Sequence, residues 1–133
     1  MAKNPVVHFE MPYKDVKHVS DFYSKVFGWD MQDTGADMQN YILAQTTETD
    51  EKTMRPKDPG AINGGFFASN DKNVAAVTIS VDNIKEAMEK IKDAGGEVLG
   101  EPVEIHGIGM YVRVNDTEGN RISLLQPSPM MGQ

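Results

Sequence analysis

A helical pattern that occurs twice, half a chain apart, restricts the fold of this sequence more than any other feature. From Asp15 the apolar residues Val16, Val19, Phe22, Tyr23, Val26 and Phe27 recur at helical spacing and stop at Gly28. From Asn83 the same period runs through Ile84, Ala87, Met88, Ile91 and Ala94 and stops at Gly95-Gly96. Asp15 and Asn83 are N-cap residues, because a side-chain oxygen there accepts from the free amides of the first turn. Glu86, three residues after Asn83, completes a capping-box pattern. Asn83 lies 68 residues after Asp15, and under that offset Val16 falls on Ile84, Val19 on Ala87 and Tyr23 on Ile91.

A strand pattern precedes each helix: Val6 to Met11 in the first half and Val74 to Val81 in the second. Three more strands are expected after each helix. In the first half they fall at Trp29 to Gln32, Asn40 to Gln45 and Ala61 to Ala68. In the second half they fall at Glu97 to Leu99, with a reading that runs on to Ile105, then Met110 to Val114 and Arg121 to Gln126. The chain therefore reads as βαβββ twice, a tandem duplication within one domain over residues 1–133, with modules near 5–68 and 74–127.

Composition narrows the partners. Thirteen Lys and Arg stand against 20 Asp and Glu, for a net charge of −7. Such a field repels a phosphate backbone, and no basic run offsets it, so nucleic acid is excluded as an expected partner. There is no cysteine, which removes thiolate nucleophiles, disulfides and cysteine-ligated zinc or iron–sulfur centres, and suits a reducing compartment. No stretch approaches the roughly 18 apolar residues that span a bilayer. The start, Met1 to Pro5, runs into a strand without a signal-peptide core. A cytoplasmic protein without membrane contact is the expectation.

Three stretches carry a family resemblance. They are His8-Phe9-Glu10-Met11-Pro12 leading to Asp21-Phe22-Tyr23-Ser24-Lys25-Val26-Phe27-Gly28-Trp29; Asp93-Ala94-Gly95-Gly96; and Asp116-Thr117-Glu118-Gly119-Asn120-Arg121-Ile122. In combination they resemble the vicinal oxygen chelate superfamily of glyoxalases, bleomycin-resistance proteins and extradiol dioxygenases, in particular its lactoylglutathione-lyase-related branch. The resemblance implies an α+β fold of tandem βαβββ modules forming a curved-sheet cleft, completed in many members by dimerisation. A homodimer with a small-molecule ligand is therefore expected.

Alternation assigns faces. Val7, Phe9 and Met11 share one side of the first strand and pack on the helix, which leaves His8 and Glu10 on the other side, toward the cleft. By the same rule Val77, Ile79 and Val81 face their helix, while Ala76, Thr78 and Ser80 face the cleft. Ile122 and Leu124 face the helix layer, leaving Arg121, Ser123 and Leu125 inside. Tyr111 and Arg113 share a face opposite Met110, Val112 and Val114, and alternation alone leaves open which of the two is inward. Phe66 and Phe67 are adjacent, so one of them lines an apolar wall, joined by Tyr41. The candidate ligand-binding residues are thus Tyr41, Phe66, Phe67, Thr78, Tyr111, Arg113 and Ser123.

Metal-dependent relatives place ligands on the first and fourth strands of the modules. Carried over by position, His8 is the only matching residue with a good donor. Its second-module equivalent is Ala76, the fourth-strand glutamate corresponds to Ser123, and the remaining position falls near Asn63, Gly64 and Gly65. Divalent transition metals need about three or more suitable donors. The expectation is a chain with no cofactor and no metal site, a divalent metal being disfavoured. His8 and Glu10 are the candidate catalytic pair, since an imidazole beside a carboxylate can shuttle a proton. The leading reading is a small-molecule binder. The alternatives are a glyoxalase-type lyase or isomerase, either metal-dependent or using His8 and Glu10, and a drug-sequestering resistance protein. The polar stretch Thr46 to Gly60 reads as a long loop, either a lid or an idle surface loop, and Pro127 to Gln133 as a loosely held tail.

Overall fold

In a computed structural model of the chain, which describes residues 3–69 and 74–129, the backbone divides into two compact units. One is His8–Ala75; the other joins Met1–Val7 to Ala76–Gln133. Each is a mixed sheet with one helix, as expected of an α+β chain.

In the His8–Ala75 unit the order is β1 (Val6–Tyr13, its first two residues in the other unit), α1 (Val16–Phe27), β2 (Asp30–Asp33), a 3-10 turn (Ala36–Met38), β3 (Ile42–Gln45) and β4 (Asn63–Ala68). The strands lie side by side as β2-β3-β4-β1. β1 and β4 are parallel, and the other pairs are antiparallel. The register sets Phe9 opposite Gly64 and Met11 opposite Phe66 on one face, and His8 opposite Asn63, Glu10 opposite Gly65 and Pro12 opposite Phe67 on the other. The first of these faces carries the core: Tyr13, Ile42, Ala44 and Phe66 are buried, with Phe9, Met11, Val19, Tyr23, Trp29 and Met31 packed on them. Tyr23 stacks on Trp29 at 4.9 Å between ring centroids.

Helix α1 is closed as its sequence predicts. Asp15 accepts from the His18 amide at 2.8 Å, and Gly28 takes the left-handed φ of 73° that ends the helix. Its apolar stripe is buried unevenly. Only the Val19 and Tyr23 row reaches the core, whereas Phe22, Val26 and Phe27 are more than half exposed. Residues 22, 26 and 27 lie on the flank of the helix, where Phe22 and Phe27 touch Tyr23 edge-on or stacked from outside.

The loop after β3 is built rather than idle. Asn63 accepts from the Thr46 amide at 2.9 Å and donates to Thr49 Oγ1 at 2.8 Å, Thr49 and Pro56 form an isolated bridge, and Thr47 donates to Asp58. The expected strand start at Asn40 moves to Ile42, because Gln39 and Asn40 both take a φ of 55° and turn the chain.

The other unit runs β5 (Ala76–Ser80), α2 (Ile84–Asp93), β6 (Glu97–Val98), β7 (Val103–Ile105), β8 (Gly109–Asn115) and β9 (Arg121–Pro127). β5 and β9 are parallel, and β8 pairs antiparallel with β9, β6 and β7. The strand expected at Glu97 to Leu99 is β6, and the reading that runs it on to Ile105 breaks into two strands. Val98 pairs with Val114 and Val103 with Tyr111, so four residues bulge opposite two, at a stretch containing Gly100 (φ 111°) and Pro102. Asn83 caps α2 by accepting from the Glu86 amide at 3.0 Å. Val81, Ile84, Met88, Val112, Val114 and Leu124 form the core under α2. Val77, expected beneath this helix, is 41% exposed, since α2 lies mainly on β6, β8 and β9. Of the expected tail, residues 130–133 lie outside the described residues.

Candidate functional site

On the coreless face of the His8–Ala75 unit, His8 and Glu10 project from β1 with one residue between them. Glu10 is 5% exposed. His8 Nε2 and the Tyr41 hydroxyl form a hydrogen bond of 3.0 Å. Burial pushes the His8 imidazole below its ordinary value of 6.5, and the Glu10 carboxylate partly opposes that shift. The imidazole is therefore neutral at pH 7.

Gly65 makes the His8–Tyr41 contact possible. It stands opposite Glu10 on β1 and opposite Leu43 on β3, and a Cβ placed there would overlap the Tyr41 phenol. Its neighbour Gly64 faces the other way, against the Phe9 ring. The paired glycines thus let one aromatic ring lie on each side of β4.

The adjacent phenylalanines separate as alternation requires. Phe67 shares the face of His8 and Glu10, while Phe66 is 1% exposed inside the α1-side core. As a ligand wall Phe66 is therefore corrected: its ring packs against Phe9 and Tyr23, on the face opposite His8.

In the other unit, Val112 and Val114 enter the core, which turns Tyr111 and Arg113 to the opposite face. Arg113 pairs in register with Ser123 and Thr78 does so from the other side, so the three form one row across β8, β9 and β5. Arg113 Nε donates to the Tyr111 hydroxyl at 3.1 Å, and that oxygen lies 2.7 Å from Ser123 Oγ. Ser123 and Thr78 are 0% and 2% exposed. Arg121 shares this face by alternation along β9, the signal already present in the sequence beside Ser123.

The residues present do not fit a divalent metal. Among the described residues no three His, Cys, Asp or Glu side chains gather in a group that could hold one. His8 Nε2 is engaged by Tyr41, Asn63 holds the loop after β3, Gly64 and Gly65 offer no side chain, and Ala76 and Ser123, expected from the resemblance at ligand positions, carry neither an imidazole nor a carboxylate. The other two histidines lie elsewhere: His18 on the exposed first turn of α1 beside Asp15, and His106 on an exposed turn.

Residues 6–124 match the Glyoxalase/Bleomycin resistance protein/Dioxygenase superfamily. The chain belongs to that superfamily, the class that both the repeated strand–helix order and the sequence motifs define. Among its relatives, the anthracycline biosynthesis protein DnrV of Streptomyces peucetius is 25% identical over 135 residues, covering 93% of this chain and 47% of that protein. CFP32 of Mycobacterium bovis is 29% identical over 94 residues, covering 68% of this chain and 31% of that protein. The chain thus spans less than half the length of these curated relatives. A solved methylmalonyl-CoA epimerase in complex with methylmalonyl-CoA and NH4+ superposes with a TM-score of 0.70 over 99% of this chain and 100% of that one, at 16% identity, a likeness of fold. No helix among the described residues is long and apolar enough to cross a membrane.

Proposed function

We propose that this chain binds a small molecule and does so without a resident divalent metal. The observation that carries this reading is the side of β1 facing away from the core. There the imidazole that would begin a metal site is hydrogen-bonded to a phenol, and among the described residues no further imidazole or carboxylate besides Glu10 gathers with it. The candidate ligand-contacting residues of the His8–Ala75 unit are His8, Glu10, Tyr41 and Phe67, and those of the unit containing Ala76–Gln133 are Thr78, Tyr111, Arg113 and Ser123. A cytoplasmic location and a homodimer belong to the same proposal. The exposed Phe22, Val26 and Phe27 on α1 supply apolar surface for association.

A second reading is favoured by the neutral His8. An unprotonated imidazole beside Glu10 and Tyr41 is the form that can accept a proton, as a metal-independent isomerase of the glyoxalase type would require. The lactoylglutathione-lyase-related branch and drug sequestration are tested in the same experiment. It is a thermal-shift screen of the purified chain against acyl-CoA thioesters, glutathione adducts of aldehydes, and cationic glycopeptides. A ligand bound only by the folded state raises the melting temperature by mass action. One class giving a saturable rise that persists with chelator supports the proposal and names the branch. A rise that chelator abolishes overturns the metal-free reading.

A further inference from the structure

Two buried polar atoms of the unit containing Ala76–Gln133 have no hydrogen-bond partner among the described residues: the Thr78 hydroxyl and the Arg121 Nε–H. Both belong to one face of the sheet. Thr78 stands opposite Ser123 in the β5–β9 register, and Arg121 precedes Ser123 by two residues on β9, about 7 Å along the strand. Ser123 is therefore flanked by an unpartnered hydroxyl on the next strand and an unpartnered guanidinium N–H on its own. On its other side the Arg113–Tyr111–Ser123 hydrogen-bond chain completes the row.

Charge gives this row its direction. Asn115 is the register partner of Arg121 and Arg113 that of Ser123, so the two arginines are diagonal neighbours, within reach of each other's side chains. In a chain of net charge −7, one sheet face thus gathers two cations. The carboxylate nearest in register, Glu97, accepts from Asn115 Nδ2 at 3.3 Å at the edge of the sheet and forms no ion pair with Arg121. A native fold rarely buries a polar hydrogen without an acceptor, and two such donors on one face ask for the same kind of group. A neutral carbonyl has one oxygen to offer; a carboxylate or phosphate has two or more, and carries the charge that a guanidinium prefers.

We propose that Thr78 and Arg121, with Ser123, Tyr111 and Arg113 between and beside them, form a subsite for an oxyanion group of a small-molecule ligand. The inference rests on the small-molecule reading above and adds the chemical class. Thr78 and Arg121 donate to the oxyanion, and the Tyr111–Ser123 pair fixes the floor on which it rests.

The test uses the full chain, with inorganic phosphate and succinate as probes at constant ionic strength, chloride serving as the control, and binding read by calorimetry and thermal shift. Saturable binding of phosphate alone identifies a phosphate-bearing ligand, and of succinate alone a carboxylate. In Thr78→Val the melting temperature without anion should stay or rise, because an unsatisfied hydroxyl is removed, while anion affinity falls at least tenfold. Arg121→Gln, which changes a partly exposed side chain, should show the same tenfold loss, and Thr78→Ser should retain binding. Wild-type affinity in both Thr78→Val and Arg121→Gln would overturn the proposal, as would no saturable binding of either anion. If neither anion binds while a neutral or cationic probe does, the oxyanion subsite falls and the small-molecule reading stands.

Discussion

At the level of single residues, the candidate site of the His8–Ala75 unit depends on one imidazole and on the glycine that makes room for its partner. His8 is buried, so its proton affinity is lower in the folded chain than in the unfolded one, with Glu10 opposing and Tyr41 hydrogen-bonded to it. The stability that neutral His8 contributes is complete above about 6.5, and is lost as pH falls from there through the lowered folded-state value. Denaturant melts from pH 8 to pH 5 should therefore show an acid-side loss that His8→Gln flattens. An unchanged acid limb in His8→Gln would show that the imidazole does not titrate in this way. Gly65→Ala tests the neighbouring contact. A methyl there must displace the Tyr41 ring, and overpacking of this kind costs about 1–3 kcal/mol. The imidazole resonances of His8 should shift with it in NMR spectra; a variant with wild-type stability and His8 resonances would contradict the placement of Tyr41.

At the scale of elements, what the sequence carried legibly was periodic. Asp15 and Asn83 do cap the two helices they were read to cap, because N-capping depends on a local hydrogen bond that needs no tertiary partner. Asp15→Ala and Asn83→Ala should each cost about 1 kcal/mol in chemical denaturation. Alternation likewise placed His8 with Glu10 and Thr78 with Ser123, since side-chain direction along a strand is a matter of backbone geometry. It could not separate Phe66 from Phe67, which differ only in which face the helix covers, nor choose inward for Tyr111 and Arg113 before Val112 and Val114 were seen in the core. The flank position of Phe22 and Phe27, and the bulge between β6 and β7, depend on how much of the sheet each helix covers, which no local pattern records. The phenylalanine pair gives the sharper check: Phe66→Ala should cost about 3–5 kcal/mol as a core truncation, and Phe67→Ala clearly less. Equal losses would contradict the assignment of their faces.

For the whole molecule, membership of the superfamily comes from a match across residues 6–124, and the fold is one shared with a methylmalonyl-CoA epimerase. The finer question is whether this chain binds its small molecule without a resident metal, as proposed. Association is one consequence to check. Light scattering at micromolar concentration should give a dimer mass that Phe22→Glu and Phe27→Glu reduce to the monomer's, and a wild-type monomer would remove the homodimer from the account. Whether the chain works without a resident metal is read from the metal content of the untagged protein, purified without chelator and measured by elemental mass spectrometry. Far less than one equivalent of zinc, iron, manganese, cobalt or nickel per chain is expected. One equivalent of any of these, retained through dialysis and held by His8, would contradict the metal-free reading.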